Sequence, residues 1–328
     1  MSANNIVPEP TPVIRISDLT VSYPVYGREQ YKALNGIDLA IWPREVVGLV
    51  GEAGAGKTLL ARTLVGAIPG GGVISSGTMS YRGVDMANIG HEESPVRAGR
   101  DIGLIVSHPK RDLNPVLTVG EQIMNVIRHH LGLTKKEAYD LALVLLKSVS
   151  IPDAERRMNA WPHELSGGMA QRVVIAIALA CNPSLLISDD ATSALDVTVQ
   201  TQVLELLQAL VKDNDFAALF ITRDIALAAH FCDRIVILFR GEIVETASSA
   251  QFFDRPLHPY SINLLAAFAH NPILRRAWMA EPLVDAGVPA CHFADRCVRR
   301  QERCISEVPE LRTLAGDRKV RCHFPVEG

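Results

Sequence analysis

Long apolar runs are scarce in this chain of 328 residues. The longest covers residues 173–181 and stops at an Asn-Pro pair, whereas a membrane-spanning helix needs ~18 or more consecutive apolar residues. Residues 1–12 are polar and proline-rich, and they lack the apolar core of a secretory signal peptide. We therefore expect neither a signal peptide nor a membrane-spanning helix, so any role at a membrane would be peripheral and would depend on partner subunits.

A large excess of charge is also absent, as is any heptad run. The net charge is −3 and the isoelectric point about 6.4, which argues against a basic surface for nucleic acid. The chain instead has 48% hydrophobic and 21% charged residues, a balance that suits a packed core. Its length is enough for one large domain and an appendage.

The first of two glycine-rich segments fits the phosphate-loop pattern G-x-x-x-x-G-K-[ST]. It follows the apolar run 45–50 and precedes a helical pattern, which is the strand, loop and helix context that the motif requires. Glycines let backbone N–H groups approach a polyphosphate, the lysine reaches the outer phosphates, and the threonine offers its hydroxyl to Mg²⁺. The predicted ATP-binding residues of this loop are Gly51, Glu52, Ala53, Gly54, Ala55, Gly56, Lys57 and Thr58.

The second glycine-rich segment reads LSGGMAQR at residues 165–172. Ser-Gly-Gly alone is a common turn, but here it precedes an apolar helix that starts near Val173. Ser166, Gly167 and Gly168 are therefore predicted to form a second anion-binding helix start.

Together these segments resemble the nucleotide-binding subunit of an ATP-binding cassette (ABC) transporter, over nearly the whole length of the chain. Residues 185–189 resemble the family's apolar strand that ends in the Mg²⁺-associated aspartate, here Asp189, and residues 193–196 resemble the following loop with Asp196. Tyr23 stands where the family places an aromatic ring that stacks on adenine, although it could also be an ordinary strand tyrosine. The resemblance implies a head-to-tail dimer, in which each ATP lies between one subunit's phosphate loop and the other's Ser-Gly-Gly segment.

The coarse pattern predicts an α/β fold with a P-loop NTPase core and a largely parallel sheet. Strands are predicted near 14–22, 45–50, 102–106, 185–188, 218–221 and 234–239, and a capping box at Thr134 and Glu137 predicts a helix through Val149. The predicted organisation is a flexible N-terminus over 1–12, an ABC nucleotide-binding domain over 13–255 with a helical subdomain at about 107–165, and a C-terminal extension over 256–328.

The chain departs from the ABC family at positions that carry out the hydrolysis. Asp190 stands where the family usually has a glutamate that polarises water, Arg223 replaces the switch histidine, and Ser107 replaces a glutamine that contacts Mg²⁺. An aspartate has the charge but less reach, a guanidinium stays protonated, and serine is too short to reach the metal. Phosphate binding needs none of the three.

These departures lead to a hypothesis of two unequal sites. The chain would bind MgATP but hydrolyse it poorly, while its intact LSGGM would complete a competent site on a different ATPase subunit, which implies a heterodimer. Two alternatives stay open: Asp190 still serves as the base after a small backbone shift, or the chain is wholly inactive.

The C-terminal part narrows the resemblance to the dipeptide and oligopeptide importer branch. Residues 255–265 resemble the start of that branch's extension, and four cysteines follow with the spacing C-x5-C-x6-C-x17-C, which matches neither a zinc ribbon nor the common ferredoxin runs. The branch implies a [4Fe-4S] cluster on a similar cysteine set, while zinc and unligated thiols remain alternatives. The four are Cys291, Cys297, Cys304 and Cys322.

Two classes of function compete for this sequence. The first is the ATPase subunit of an inner-membrane ABC importer, for peptides or else for nickel, opines or another small solute. Its implied partners are a second ATPase, two membrane permease subunits and an extracytoplasmic solute-binding protein, with no nucleic acid. The second is an ABC ATPase not tied to transport. Those usually resemble tandem or coiled-coil cassettes, and this chain has one cassette and a peptide-importer tail.

Overall fold

Two β-sheets form the framework of the protein in the computed structural model, which describes residues 11–27, 29–191, 197–213, 216–268 and 290–326. One is a four-stranded sheet of order β2-β1-β4-β5, and the other is an eight-stranded sheet of order β11-β12-β10-β9-β3-β8-β7-β6. The strands are β1 (Ile14–Tyr23), β2 (Tyr31–Ile41), β3 (Val46–Val50), β4 (Val73–Tyr81), β5 (Val84–Asp85), β6 (Ile102–Ile105), β7 (Leu185–Asp189), β8 (Ala217–Thr222), β9 (Arg234–Phe239), β10 (Glu242–Ser248), β11 (Leu311–Thr313) and β12 (Lys319–Arg321).

The large sheet has a parallel core and an antiparallel edge. Strands β6, β7, β8, β3 and β9 pair in parallel, whereas β9 with β10, β10 with β12, and β12 with β11 are antiparallel. All five residues of β3 are buried, as expected for a strand covered on both faces. A Cβ at Gly48 would meet Sγ of Cys232 at 2.8 Å, so glycine is required at this position of the strand.

Several helices follow β6 along the chain, and helices also cover the large sheet. The α-helices of the described residues are α1 (Lys57–Leu64), α2 (Pro109–Asp112), α3 (Val119–Leu131), α4 (Lys135–Ser148), α5 (Ala154–Arg157), α6 (Gly167–Leu179), α7 (Val197–Asp213), α8 (Ile225–Phe231), α9 (Ser249–Asp254), α10 (Pro259–Phe268) and α11 (Glu302–Ser306). Within the described residues, none of these helices is long and apolar enough to cross a lipid bilayer.

The helix predicted from its capping box is α4. Thr134 accepts a hydrogen bond from the backbone N–H of Glu137, whose carboxylate accepts one from the backbone N–H of Thr134. Ala138, Ala142 and Leu146 are fully buried along the predicted apolar stripe. Reciprocal capping therefore fixes the start of the helix, and its apolar face fixes its orientation.

Two hydrophobic cores meet at the large sheet. One lies between the two sheets and around α1, with Leu19, Leu49 and Leu60 fully buried. The other lies on the opposite side of the large sheet and continues among α3, α4 and α6, where Ile123 and Ile175 are buried. The six predicted strands are all present, within two residues of the expected bounds. The predicted domain boundaries stay predictions, and residues 1–10 lie outside the described ranges.

Candidate nucleotide-binding site

The phosphate loop connects β3 to α1 at the carboxyl edge of the parallel strands. A Cβ on Gly51 would lie 2.2 Å from the carbonyl oxygen of Leu238, so the loop can leave the strand only where the side chain is absent. Gly56 caps α1 with φ of 107°, a backbone conformation that favours glycine. The sequence therefore places a helix N-terminus directly behind the loop, where its backbone N–H groups can bind an anion.

Lys57, Thr58 and Asp189 meet in this loop. The ammonium of Lys57 donates to the carbonyl oxygens of Gly51 at 2.7 Å and Glu52 at 2.8 Å. The hydroxyl of Thr58 donates to a carboxylate oxygen of Asp189 at 3.0 Å. A hydroxyl and a carboxylate side by side are the oxygen ligands that Mg²⁺ prefers near phosphates.

Burial perturbs both charged groups of this set. Desolvation, followed by the positive charge of Arg223, lowers the pKa of Lys57. Desolvation also raises the pKa of Asp189, against the opposing effect of the hydrogen bond from Thr58. The charged form of each group is therefore less stable here than it is in water, and an oppositely charged ligand would stabilise it.

An open cleft of about 910 Å³ lies over the loop. Its lining includes two tyrosines, residues of the phosphate loop, Asp189, Asp190 and Arg223. Tyr23 was predicted here; Tyr31 was not, although it is the cross-strand partner of Tyr23 in β1 and β2. The lining residues are Tyr23, Tyr31, Ala33, Ala53, Gly54, Ala55, Gly56, Lys57, Thr58, Leu59, Asp189, Asp190, Ile221 and Arg223.

Asp190 and Arg223 form an ion pair at the mouth of this cleft. A guanidinium nitrogen of Arg223 lies 3.3 Å from a carboxylate oxygen of Asp190, with side-chain exposures of 67% and 21%. Asp190 follows β7 with φ of 52°, and its backbone N–H donates to the carbonyl oxygen of Ile221 in β8. These two residues follow different strands, and the sequence analysis identified both as departures from the family pattern. The structure brings them into contact.

Other predicted site residues lie apart from the cleft. Ser107 is half-buried in a bend after β6 and does not line it. Gly51 and Glu52, the first two residues of the loop, do not line the cleft, and Glu52 contacts Arg296 and Tyr260 of the C-terminal extension, a contact that the sequence analysis missed. Asp196 lies outside the described residues.

The Ser-Gly-Gly segment forms a separate helix start. Ser166 is the N-cap of α6, and its side-chain oxygen accepts from the backbone N–H of Met169 at 3.2 Å. Ser166 is exposed, Gly167 and Gly168 are half-buried, and none of the three lines the cleft. A Cβ on Gly168 would meet a methyl of Val199 at 2.7 Å, so close packing of α6 on α7 requires glycine there. A helix start is therefore present at the predicted residues, it does not line the cleft over this chain's own phosphate loop, and anion binding there stays a prediction.

The four C-terminal cysteines line one small cavity of about 10 Å³ together with His258, Phe293 and other residues. All four are free thiols, and three of them are buried. Desolvation raises the pKa of Cys291 to about 11 and that of Cys322 to about 12. Four thiols around one cavity fit the donor chemistry of a metal or cluster. As placed, however, no group of three or more His, Cys, Asp or Glu side chains in the described ranges is arranged to hold a metal ion.

Comparisons with known proteins agree with this architecture. A family model described as "ABC transporter" matches residues 34–193, and one described as "Oligopeptide/dipeptide transporter, C-terminal region" matches residues 244–304. The dimeric structure of MJ0796, a bacterial ABC transporter cassette, superposes with a TM-score of 0.63 at 27% identity, over 72% of this chain and 98% of that one.

Curated relatives match over nearly their full length. The oligopeptide transport ATP-binding protein AppD of Bacillus subtilis (strain 168) is 39% identical over 300 residues, which are 90% of this chain and 92% of AppD. The dipeptide transport ATP-binding protein DppD of Escherichia coli (strain K12) is 37% identical over 301 residues, with the same coverage.

The fold and the phosphate-loop site define a P-loop nucleoside triphosphatase with the ABC nucleotide-binding fold. This agrees with the fold class expected from the sequence. The chain belongs to the ABC transporter ATP-binding proteins of the oligopeptide and dipeptide importer family. It is thus an ABC-type ATPase, as the two glycine-rich segments predicted.

Proposed function

We propose that this chain is the ATP-binding, energy-coupling subunit of a peptide importer, bound peripherally to the cytoplasmic face of an inner membrane. Its partners are a second ATPase subunit, two membrane permease subunits and an extracytoplasmic solute-binding protein. The match of residues 244–304 to the oligopeptide and dipeptide transporter C-terminal region favours peptides over nickel, opines or other small solutes. The relatives AppD and DppD, named for oligopeptide and dipeptide transport, support the same choice.

We assign roles to the residues of the cleft. The backbone of residues 53–56 and the ammonium of Lys57 would hold the phosphates, and Thr58 and Asp189 would hold Mg²⁺, which would stabilise the negative charge of the transferred phosphoryl group. Tyr23 stacks on adenine within the cleft, and Asp196 contributes to the subunit interface.

The proposal includes slow hydrolysis at this chain's own site. The ion pair between Arg223 and Asp190 is the observation that carries it. A general base needs a free lone pair within hydrogen-bond reach of the attacking water. Here a permanently charged guanidinium occupies an oxygen of the candidate base, and the aspartate is one methylene shorter than glutamate. Ser107, outside the cleft, provides no substitute.

The intact Ser-Gly-Gly segment then serves the partner subunit. Its capped, exposed helix start lies away from the cleft of its own chain, so it is available to a nucleotide held by another subunit. A homodimer would contain two impaired sites, which favours a heterodimer with one competent site.

Turnover by the purified complex tests this asymmetry. We expect Asp190→Asn to change ATP turnover less than about 2-fold, while removal of the partner's equivalent carboxylate lowers it ~100-fold or more, the usual contribution of a positioned base. Asp140→Asn, on the exposed face of α4, is the matched control. Equal losses at the two carboxylates would mean that Asp190 is a working base and that the sites are equivalent.

Co-purification tests whether the chain is a subunit of a membrane transporter. If the chain is an importer subunit, an affinity-tagged copy will co-purify with two integral membrane proteins and a second ATPase. An ABC ATPase not tied to transport would co-purify with neither permease. Radiolabelled uptake of peptides, nickel and opines in a deletion strain then separates the solute classes.

The cysteine cavity is proposed to hold a [4Fe-4S] cluster on Cys291, Cys297, Cys304 and Cys322. The common lining of one cavity by all four thiols supports this. Such a cluster would tie the C-terminal segments together. Iron, zinc and visible-spectrum analysis of anaerobically purified protein is the test: iron with sulfide supports the cluster, zinc alone replaces it, and absence of both metals removes it.

A further inference from the structure

Glu52, the second residue of the phosphate loop, is held at three points. Its backbone N–H donates to the hydroxyl of Tyr260 at 3.0 Å, and its carbonyl oxygen accepts from the ammonium of Lys57. Its carboxylate oxygens lie 3.1 and 3.2 Å from one guanidinium nitrogen of Arg296. Two of these three partners come from the C-terminal extension, more than 200 residues away in sequence.

Arg296 is itself fixed by an aromatic cluster. Its guanidinium carbon lies 5.1 Å from the ring centre of Phe239, 5.3 Å from that of Phe293 and 6.0 Å from that of Tyr260. These rings also contact one another, with centres 4.5 to 5.5 Å apart. A cation over several ring faces is stabilised and has few other positions available, so Arg296 is oriented before it meets Glu52.

The ion pair between Arg296 and Glu52 matters because the ligand of this loop, a polyphosphate, is negatively charged. A carboxylate in a loop that binds a polyphosphate would repel the ligand unless it is neutralised or turned away. Glu52 does not line the cleft, and the cation of Arg296 pairs with its carboxylate. Tyr260, which is 1% exposed, fixes the backbone at the same residue.

We propose that Arg296 and Tyr260 are positioning residues for the phosphate loop, through which the C-terminal extension sets the affinity for ATP. Arg296 acts by pairing with the carboxylate of Glu52, and Tyr260 acts by accepting a hydrogen bond from the backbone N–H of Glu52. Because Arg296 directly precedes Cys297, the same turn also borders the cysteine cavity.

ATP affinity of the full-length protein, measured by titration with a fluorescent ATP analogue and competition with ATP, tests the proposal. Arg296→Met leaves the carboxylate unpaired, and we expect it to weaken binding about 2- to 5-fold, the scale that a partly exposed ion pair contributes. Glu52→Gln in the same chain removes the unpaired charge, so the double variant should regain most of the lost affinity. Arg296→Lys, which keeps the charge, should lose less than Arg296→Met.

Arg303→Met is the matched control. Arg303 lies in the same extension and pairs with Glu307 at 2.6 Å, but it is remote from the loop. We expect its affinity to be unchanged, and Tyr260→Phe to weaken binding without disturbing the ion pair. Unchanged affinity in Arg296→Met, or a double variant as weak as the single one, would overturn the proposal. If Arg296→Met does not fold, the comparison of Arg296→Lys with Tyr260→Phe decides, since wild-type affinity in both overturns it.

This measurement reports binding and not hydrolysis. Its outcome is therefore independent of whether the chain's own site turns over slowly, which the carboxylate variants test separately.

Discussion

At the residue scale, Asp189 illustrates a conflict between stability and ligand binding. Burial raises its pKa, so ionising this carboxyl group costs more free energy in the folded protein than in the unfolded chain. Thr58 compensates only in part. An amide at this position would keep an acceptor for the hydroxyl of Thr58 and avoid the buried charge.

We therefore expect Asp189→Asn to raise the midpoint of thermal unfolding without nucleotide and to lose most of the further rise that MgATP causes in the wild type. A ligand that binds only the folded state stabilises it by an amount that grows with the logarithm of the ligand concentration divided by Kd, so both effects appear in one set of melting curves. A lower midpoint without nucleotide, or a full MgATP shift, would contradict the assigned role of Asp189.

Whether a residue of the site could be predicted from the sequence depends on how far along the chain its partners lie. Lys57, Thr58 and Asp189 were predicted because a local motif and a strand end carry the signal. Tyr31 was missed because its position depends on the pairing of β1 with β2. Arg296 was missed because its role depends on how the extension folds back onto Glu52, which no local pattern encodes.

At the element scale, Glu245 joins β10 to the C-terminal extension. It is fully buried, and its carboxylate accepts from the backbone N–H groups of Leu257 and His258, both at 2.8 Å. A guanidinium nitrogen of Arg318 lies 3.1 Å away, with the arginine side chain only 12% exposed. The ion pair and the two backbone bonds satisfy a charge that would otherwise be costly to bury.

Glu245→Ala should lower the free energy of unfolding by about 3–5 kcal/mol, because it leaves the largely buried Arg318 and two buried backbone N–H groups without their carboxylate partner. Urea unfolding followed by circular dichroism measures the loss. Glu302→Ala, at an exposed position of α11, is the control and should change stability by less than about 0.5 kcal/mol. A loss below about 1 kcal/mol for Glu245→Ala would mean that water reaches the pair.

The elements that sequence patterns predicted share one property. The predicted strands β3, β7, β8 and β9 are short apolar runs, because strands buried on both faces of a parallel sheet read this way. Strand β4 was not predicted, since most of its residues are exposed and its pattern does not alternate. Strands β11 and β12 are three residues each, too short for any periodic signal, and only the pairing of β12 with β10 and of β11 with β12 defines them.

At the scale of the whole molecule, the two glycine-rich segments lie at separate places in one chain. The phosphate loop opens onto a cleft that contains Asp190 and Arg223, whereas Ser166 caps α6 outside it. If the two segments serve different ATP molecules, damage to one should have a different consequence from damage to the other. The MJ0796 cassette, similar over 72% of this chain, was solved as a dimer, which fits sites formed between subunits.

Ser166→Arg in the assembled complex should therefore abolish most ATP turnover, because a bulky cation at this helix start obstructs the competent nucleotide on the partner. The same substitution in the partner's segment should reduce turnover much less, since it affects only the site at which we propose that Arg223 and Asp190 slow hydrolysis. Ser166 is exposed, so the substitution removes one helix cap, costing about 1 kcal/mol, and leaves the core intact. Ser166→Thr keeps the cap and should retain activity. The measurement is the steady-state ATP turnover of four complexes: the wild type, Ser166→Arg, the arginine variant of the partner's segment, and Ser166→Thr. Equal losses from the two arginine variants would show that the two ATP sites are equivalent.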